Sequence, residues 1–224
     1  FSSGRKMSSI TKETSLPIHG VMIGGDGEWV GVYGTQFNAK TKAPEHGAVT
    51  IWETKSGRKI AAWKIGGVAI VTAAVSPSGK RIALSTVSSL REDDLDGMEA
   101  VLQVWRISKG RIEETLITRK RAVVSSLDFG RNGKRLSASL ALFGPDFEER
   151  FDLTRSGIVW RTRDWKELKW LKFSNDGFFM SPRVRLHETR LMAFEYGFLG
   201  VGAIESRSLE PGVKVRRYRL REKP

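Results

Sequence analysis

The side chains best suited to chemistry in this 224-residue chain are few, and they stand far apart. An acidic stretch, EDDLDGME at 92–99, sets oxygen ligands at Glu92, Asp94 and Asp96 ahead of Gly97, the alternation by which a loop wraps a calcium ion. The match is partial. A complete calcium loop begins with Asp and supplies Glu at its twelfth position, where Gln103 stands here, so a solvated acidic loop is the competing reading. His19, His46 and His187 are the only histidines, each beside a turn or loop, and none pairs with a serine and an acid at a spacing that would build a nucleophile. Cysteine is absent, which excludes disulfide frameworks, thiolate metal sites and cysteine nucleophiles. No catalytic residue and no cofactor is assigned.

Charge is the stronger signal. The chain carries a formal +13, and 26 basic against 15 acidic side chains lie in residues 101–224. The basic residues cluster at Arg119, Lys120 and Arg121, at Arg161 and Arg163, and at Arg216, Arg217, Arg219 and Arg221. A basic field attracts nucleic acid, anionic surfaces or acidic proteins. Alternation such as Arg217, Arg219, Arg221 also suits the solvent side of an edge strand that charge protects from pairing. Candidate aromatic anchors for a protein partner are Phe37, Phe143, Phe147, Phe178 and Phe179, the last two also reading as the core start of a strand.

The elements that must carry these residues repeat. TIWETKSGRKIAAW at 50–63 has counterparts in LQVWRISKGRIEETL at 102–116 and GIVWRTRDWKELKWL at 157–171. Aligned aromatics at Trp52, Trp105, Trp160 and Tyr218 are spaced by 53, 55 and 58 residues. Before each lies a polar turn between two apolar runs: GGDG at 24–27, SPSG at 76–79, RNG at 131–133 and HE at 187–188. Such turns between runs rich in β-branched residues are hairpin signals. Each repeat thus reads as a hairpin, a long polar loop, the Trp-bearing strand, a tight turn and a last strand. The three tryptophans are expected to pack between repeats.

Four strands in a meander, with the Trp-bearing third strand and the SGRK turn, resemble the WD-repeat β-propellers. The resemblance covers nearly the whole chain and is divergent: the Gly-His pair and the Asp after Trp are missing, with Glu53, Arg106 and Arg161 following the three tryptophans. It implies an all-β fold, a β-propeller of four-stranded antiparallel blades in one domain over 1–224, with repeats near 17–63, 68–117, 121–171 and 178–220. A strand at 3–10, SGRKMSSI, matches SGRKIAAW at 56–63 and could supply a fourth strand missing after Tyr218, closing a four-bladed ring. The alternative is that both ends are cuts in a longer propeller; the first residue, Phe1, also reads as a trimmed chain, so compartment stays open with the cytoplasm as default.

In the resembled family the loops between second and third strands share a face with the connections between blades. Here those loops are expected at 35–47, 85–100, 141–156 and 197–212, long enough to be functional or disordered. The leading expectation is a non-enzymatic scaffold binding a protein or peptide across that face, as a monomer or part of a larger chain. The alternative is a nucleic-acid or other polyanion binder using the basic second half, best represented by Arg119, Lys120 and Arg121. A propeller hydrolase is the third reading. No apolar run reaches the roughly 18 residues needed to span a membrane, so a soluble protein is expected.

Overall fold

The computed structural model describes residues 17–24, 27–89, 95–144, 153–172, 183–187, 190–195, 203–209 and 216–219. They form four antiparallel sheets of four strands, each a meander in chain order. The first sheet holds β1 (Gly20–Gly24), β2 (Trp29–Phe37), β3 (Pro44–Glu53) and β4 (Lys59–Gly66). The second holds β5 (Ala69–Val75), β6 (Arg81–Val87), β7 (Glu99–Arg106) and β8 (Arg111–Lys120). The third holds β9 (Ala122–Phe129), β10 (Arg135–Phe143), β11 (Leu153–Arg161) and β12 (Lys166–Lys172), and the fourth β13 (Arg183–His187), β14 (Arg190–Glu195), β15 (Ala203–Ser208) and β16 (Arg216–Arg219). A 3-10 turn, Ile107–Lys109, follows β7.

Successive sheets stack face to face through their first strands. β5 lies across β1, β2 and β3, β9 lies across β5, β6 and β7, and β13 meets β9 and β10. Sequence explains this order. β5 (AIVTAAV) is apolar on both faces, as a strand covered from both sides must be, and β9 (AVVSSLDF) is buried or half-buried throughout, whereas β8 (RIEETLITRK) is polar over most of its length. One core joins the first two sheets around Met22, Val49, Ile51, Ile70, Val75, Ile82 and Leu84. A second joins the next two around Val87, Leu102, Val104, Val124, Leu136, Leu140 and Ile158. Two of the tryptophans occupy this packing as expected: Trp105 packs against the first core and lies 6.3 Å from Trp63 of the preceding sheet, and Trp160 is buried in the second core.

In the first three sheets the third strand is tied to the hairpin before it by one repeated bond. The amides of Thr54, Ile107 and Thr162, each two residues past a tryptophan, donate to the carbonyls of Glu28, Lys80 and Lys134 at 2.9, 3.0 and 3.0 Å. The hairpin turns are equally specific. Gly79 sits at φ +64°, and a Cβ there would fall 2.3 Å from the Trp29 ring, so the turn admits only glycine without moving Trp29.

The fourth repeat departs from the expected alignment. Tyr218 lies on β16, the fourth strand of its sheet, and the third strand is β15, inside the stretch read as a loop at 197–212. In the third sheet Trp160 pairs with Leu136; the same ladder position in the fourth sheet pairs Arg207 with Leu191, so an arginine stands in the tryptophan slot. With four strands of its own, that sheet needs none from residues 3–10, which lie outside the described residues. The argument for ring closure by an N-terminal strand therefore loses its premise.

A charged cluster clamps the second sheet to the third at the hairpin-turn end. Glu113 accepts from Arg81 Nη2 at 2.6 Å and lies 3.3 Å from Arg106 Nη2, and the Arg81 guanidinium sits 5.3 Å from the centre of the Trp165 ring. The Arg81 hydrogen bond, opposed by partial burial and reinforced by Arg106, holds the Glu113 carboxyl below its ordinary range. A depressed carboxylate adds stability above its unfolded pKa and loses it as pH falls through the folded value. Glu113→Gln is accordingly expected to cost about 1–3 kcal/mol in urea unfolding at pH 7, for loss of charge-assisted bonds, with the gap from wild type closing in acid. A gap unchanged between pH 7 and pH 3 would show that the charge of Glu113 contributes nothing.

Candidate functional site

The loop end of the stack is organised by one residue. Arg121 is the whole connection between β8 and β9, and turning the chain back within one residue puts it at φ 50°, in the left-handed region. Its amide donates to the Met98 carbonyl at 2.8 Å, and its own carbonyl accepts from the Phe143 amide at 2.9 Å. The guanidinium reaches both neighbouring loops. Nη1 lies 2.6 Å from Asp96 Oδ1, Nε donates to the Phe143 carbonyl at 3.2 Å, and Nη2 donates to the Gly144 carbonyl. The β6–β7 loop, the β8–β9 connection and the start of the β10–β11 loop thus meet at one point, which places these two classes of connection on one face.

The loop segments around this point are held at their bases. In the β6–β7 loop Leu95 and Met98 are buried, and Ser88 Oγ donates to the Gly97 carbonyl at 2.7 Å while accepting from the Glu99 amide at 3.0 Å. The β2–β3 loop is a tight turn at 38–43, not the open loop expected over 35–47. Asn38 Oδ1 accepts from the Lys40 and Thr41 amides at 2.9 and 3.0 Å, and Asn38 Nδ2 donates to Glu45 Oε1 at 3.0 Å, an arrangement that fixes the turn by side-chain capping. The strands simply extend further into the expected loops than their polar composition indicates.

The predicted site residues divide accordingly. Arg119 and Lys120 are exposed near the end of β8, but the Arg121 guanidinium is spent on internal bonds, so the basic triplet is not one surface patch. Phe143 closes β10, half-buried and held at both backbone groups by Arg121; Phe147 lies outside the described residues, as do Phe178 and Phe179. Phe37, the remaining aromatic candidate, stacks on His19 with ring centres 6.1 Å apart and packs on the second core. Of the calcium set, Glu92 and Asp94 lie outside the described residues, and the Asp96 carboxylate, 87% exposed, already has the Arg121 cation as its partner. Arg161 and Arg163 both approach Asp164, at 2.6 and 3.8 Å, and hydrogen bonding from Arg161 holds that carboxyl down at about 2. Arg216, Arg217 and Arg219 form most of β16, and Arg221 lies outside the described residues.

His19 and His46 lie beside β1 and on β3 of the first sheet, and His187 lies on β13 of the fourth. Sequence reasoning missed Met98, Leu95 and Asp96 as the anchors of the β6–β7 loop; the two apolar side chains inside an acidic stretch were the available signal. Among the described residues no helix is long and apolar enough to cross a membrane.

No protein-family model matches the chain, and no curated protein sequence matches it either. Solved structures do. An acylaminoacyl peptidase from Pyrococcus horikoshii superposes at a TM-score of 0.59 with 13% identity, over 92% of this chain and 32% of that one. U3-55K superposes at 0.58 with 16% identity over 92% and 52%, and the β-propeller domain of the Trilobed protease from Pyrococcus furiosus at 0.56 with 14% identity over 93% and 58%. The chain spans a third to somewhat over half the length of these structures. At such identities the likeness concerns fold alone, and with the four radially stacked meanders it defines the class: this chain is a β-propeller. Its neighbours include both WD40-repeat propellers and peptidase propellers.

The Arg121 clamp yields a direct test. Arg121→Gly keeps the left-handed backbone and removes the side-chain bonds, and is expected to cost about 1–3 kcal/mol; Arg121→Ala adds a further 1 kcal/mol or so of backbone strain. Asp96→Asn should change stability by at most about 0.5 kcal/mol, since the carboxylate is exposed. Amide exchange at Phe143 should accelerate in both Arg121 variants and stay near wild type in Asp96→Asn.

Proposed function

We propose that this propeller is a non-enzymatic scaffold of WD-repeat type that binds a protein or peptide across its loop end. The observation behind the reading is the Arg121 clamp, which fixes two loops and a connection between sheets into one platform without using a free catalytic group. Loops held at their bases lose less freedom on binding than open ones, which favours recognition of an extended partner. The WD40-repeat propellers among the structural neighbours are in keeping with this role.

The chain has no cysteine, so single thiols can be placed at will. Peptides selected from a displayed random library should bind the protein, and a bulky thiol reagent at Lys40→Cys or Asp96→Cys, both at the loop end, should weaken them by roughly tenfold or more, as expected when contact residues are lost. The same reagent at Lys109→Cys or Arg131→Cys, at the turn end, should leave binding unchanged; the reverse pattern would sink the proposal. Salt separates it from the polyanion reading. A peptide interface should vary little between 50 and 200 mM salt, while polyanion binding through Arg119 and Lys120 should fall with a log–log slope of about −2.

A further inference from the structure

The side chains of β1 that face away from the second sheet are exposed, although their equivalents in the next two sheets are buried or half-buried. Ile23 pairs with Val30 across the ladder, and Val30 with Trp52. The same row is Val75, Ile82 and Trp105 in the second sheet, and Phe129, Leu136 and Trp160 in the third. Val75 and Phe129 retain 5% and 7% of their surface, but Ile23 retains 71%. The neighbouring row repeats the contrast. Val21 is 61% exposed, and its partner Val32 is half-buried where the second and third sheets have the fully enclosed Leu84 and Ala138.

The cause of burial in the later sheets is on view. Val75 enters the core shared with the first sheet, and Phe129 the core shared with the second, because each first strand lies across the three inner strands of the sheet before it. β1 has the same design on its other side: Met22 is buried in the first core, and the Cα of Gly24 comes so close to the second sheet that a Cβ would lie 3.2 Å from Val75. Trp52, further out on β3, is itself covered, so the opening is confined to β1 and β2. None of the strands in the fourth sheet makes more than marginal contact with the first among the described residues. An apolar edge strand left open in this way is also the kind of surface that soluble proteins cover.

We infer that, in the natural protein, β1 inserts into the face of a further four-stranded sheet of this repeat, which precedes β1 around the axis as the first sheet precedes β5. The occupant is another blade, presenting an apolar face like the one Met22, Val49 and Ile51 present to β5. This surface lies away from the loop end and does not depend on what the loop end binds.

The test replaces Ile23 with a photo-crosslinking residue in the natural full-length protein and identifies the captured peptide by mass spectrometry, using isotope-mixed samples to separate contacts within and between molecules. Capture of a strand from the same molecule outside residues 1–224 is the expected result. Capture of residues 1–16 or 183–219, or of a second copy, would overturn it. So would no capture at all together with an Ile23→Cys thiol that reacts as fast as one at Lys109→Cys. Val21→Cys and the buried reference Val75→Cys guard against misfolding: the expected outcome has Val21→Cys protected at least tenfold relative to Lys109→Cys, close to Val75→Cys.

Discussion

Every inner strand of this molecule has to be covered from two sides at once. β5 gives Ile70, Ala73 and Val75 to the core shared with the first sheet and Ala69, Val71 and Ala74 to the core shared with the third. A sheet with one wet face can alternate apolar and polar residues, but a strand wedged between two sheets cannot, and β5 is accordingly almost without polar side chains. The demand falls off with distance from the axis. On β8 and β12 most residues are exposed, and arginine and lysine are frequent there. Part of the positive charge therefore sits on outermost strands, where it keeps unpaired edges from joining other chains.

The same constraint meets a different set of side chains where the third sheet packs on the fourth. Among the described residues the interface between the third and fourth sheets holds Val159, Leu171 and Leu191, with Leu209 against them. Buried serines at 137 and 139 and the buried Arg155 lie on strands of the third sheet, and Lys169 Nζ donates to the Ser208 carbonyl across the junction at 3.3 Å. Polar groups buried this way need internal partners, and they contribute less net stabilisation than apolar contacts of the same area. Arg207 at the tryptophan position belongs to the same divergence.

This divergence explains which parts of the fold could be read from sequence. Trp105 and Trp160 mark third strands because a large apolar ring is needed where that strand faces the preceding sheet, and the polar turns mark hairpins because a left-handed glycine such as Gly79 is needed there. Where the ring is absent, the landmark fails: Tyr218 was the nearest aromatic, but it belongs to the next strand. Loop lengths were overestimated for a related reason. Gln36 and His46 are polar yet pair in the β2–β3 ladder, since backbone bonding at the rim of a sheet does not require apolar side chains. The site was less legible than the fold. Arg119, Lys120 and Arg121 look equivalent in sequence, and only a backbone turn of a single residue decides that the third is turned inward.

That turn also bears on which kind of partner the loop end suits. A polyanion site needs cations that are free to replace counterions along a surface, and the strongest candidate here has lost its third member to two backbone carbonyls and Asp96. What the molecule receives in exchange is geometric. Because Arg121 bonds to Met98 and Asp96 on one side and to Phe143 and Gly144 on the other, a displacement of either loop is felt by the other, and both are referred to the rigid ladders of β8, β9 and β10. A platform of this kind selects by shape and hydrogen-bond position more than by net charge. The basic rim then serves the edges of the sheets, and recognition is left to the loops.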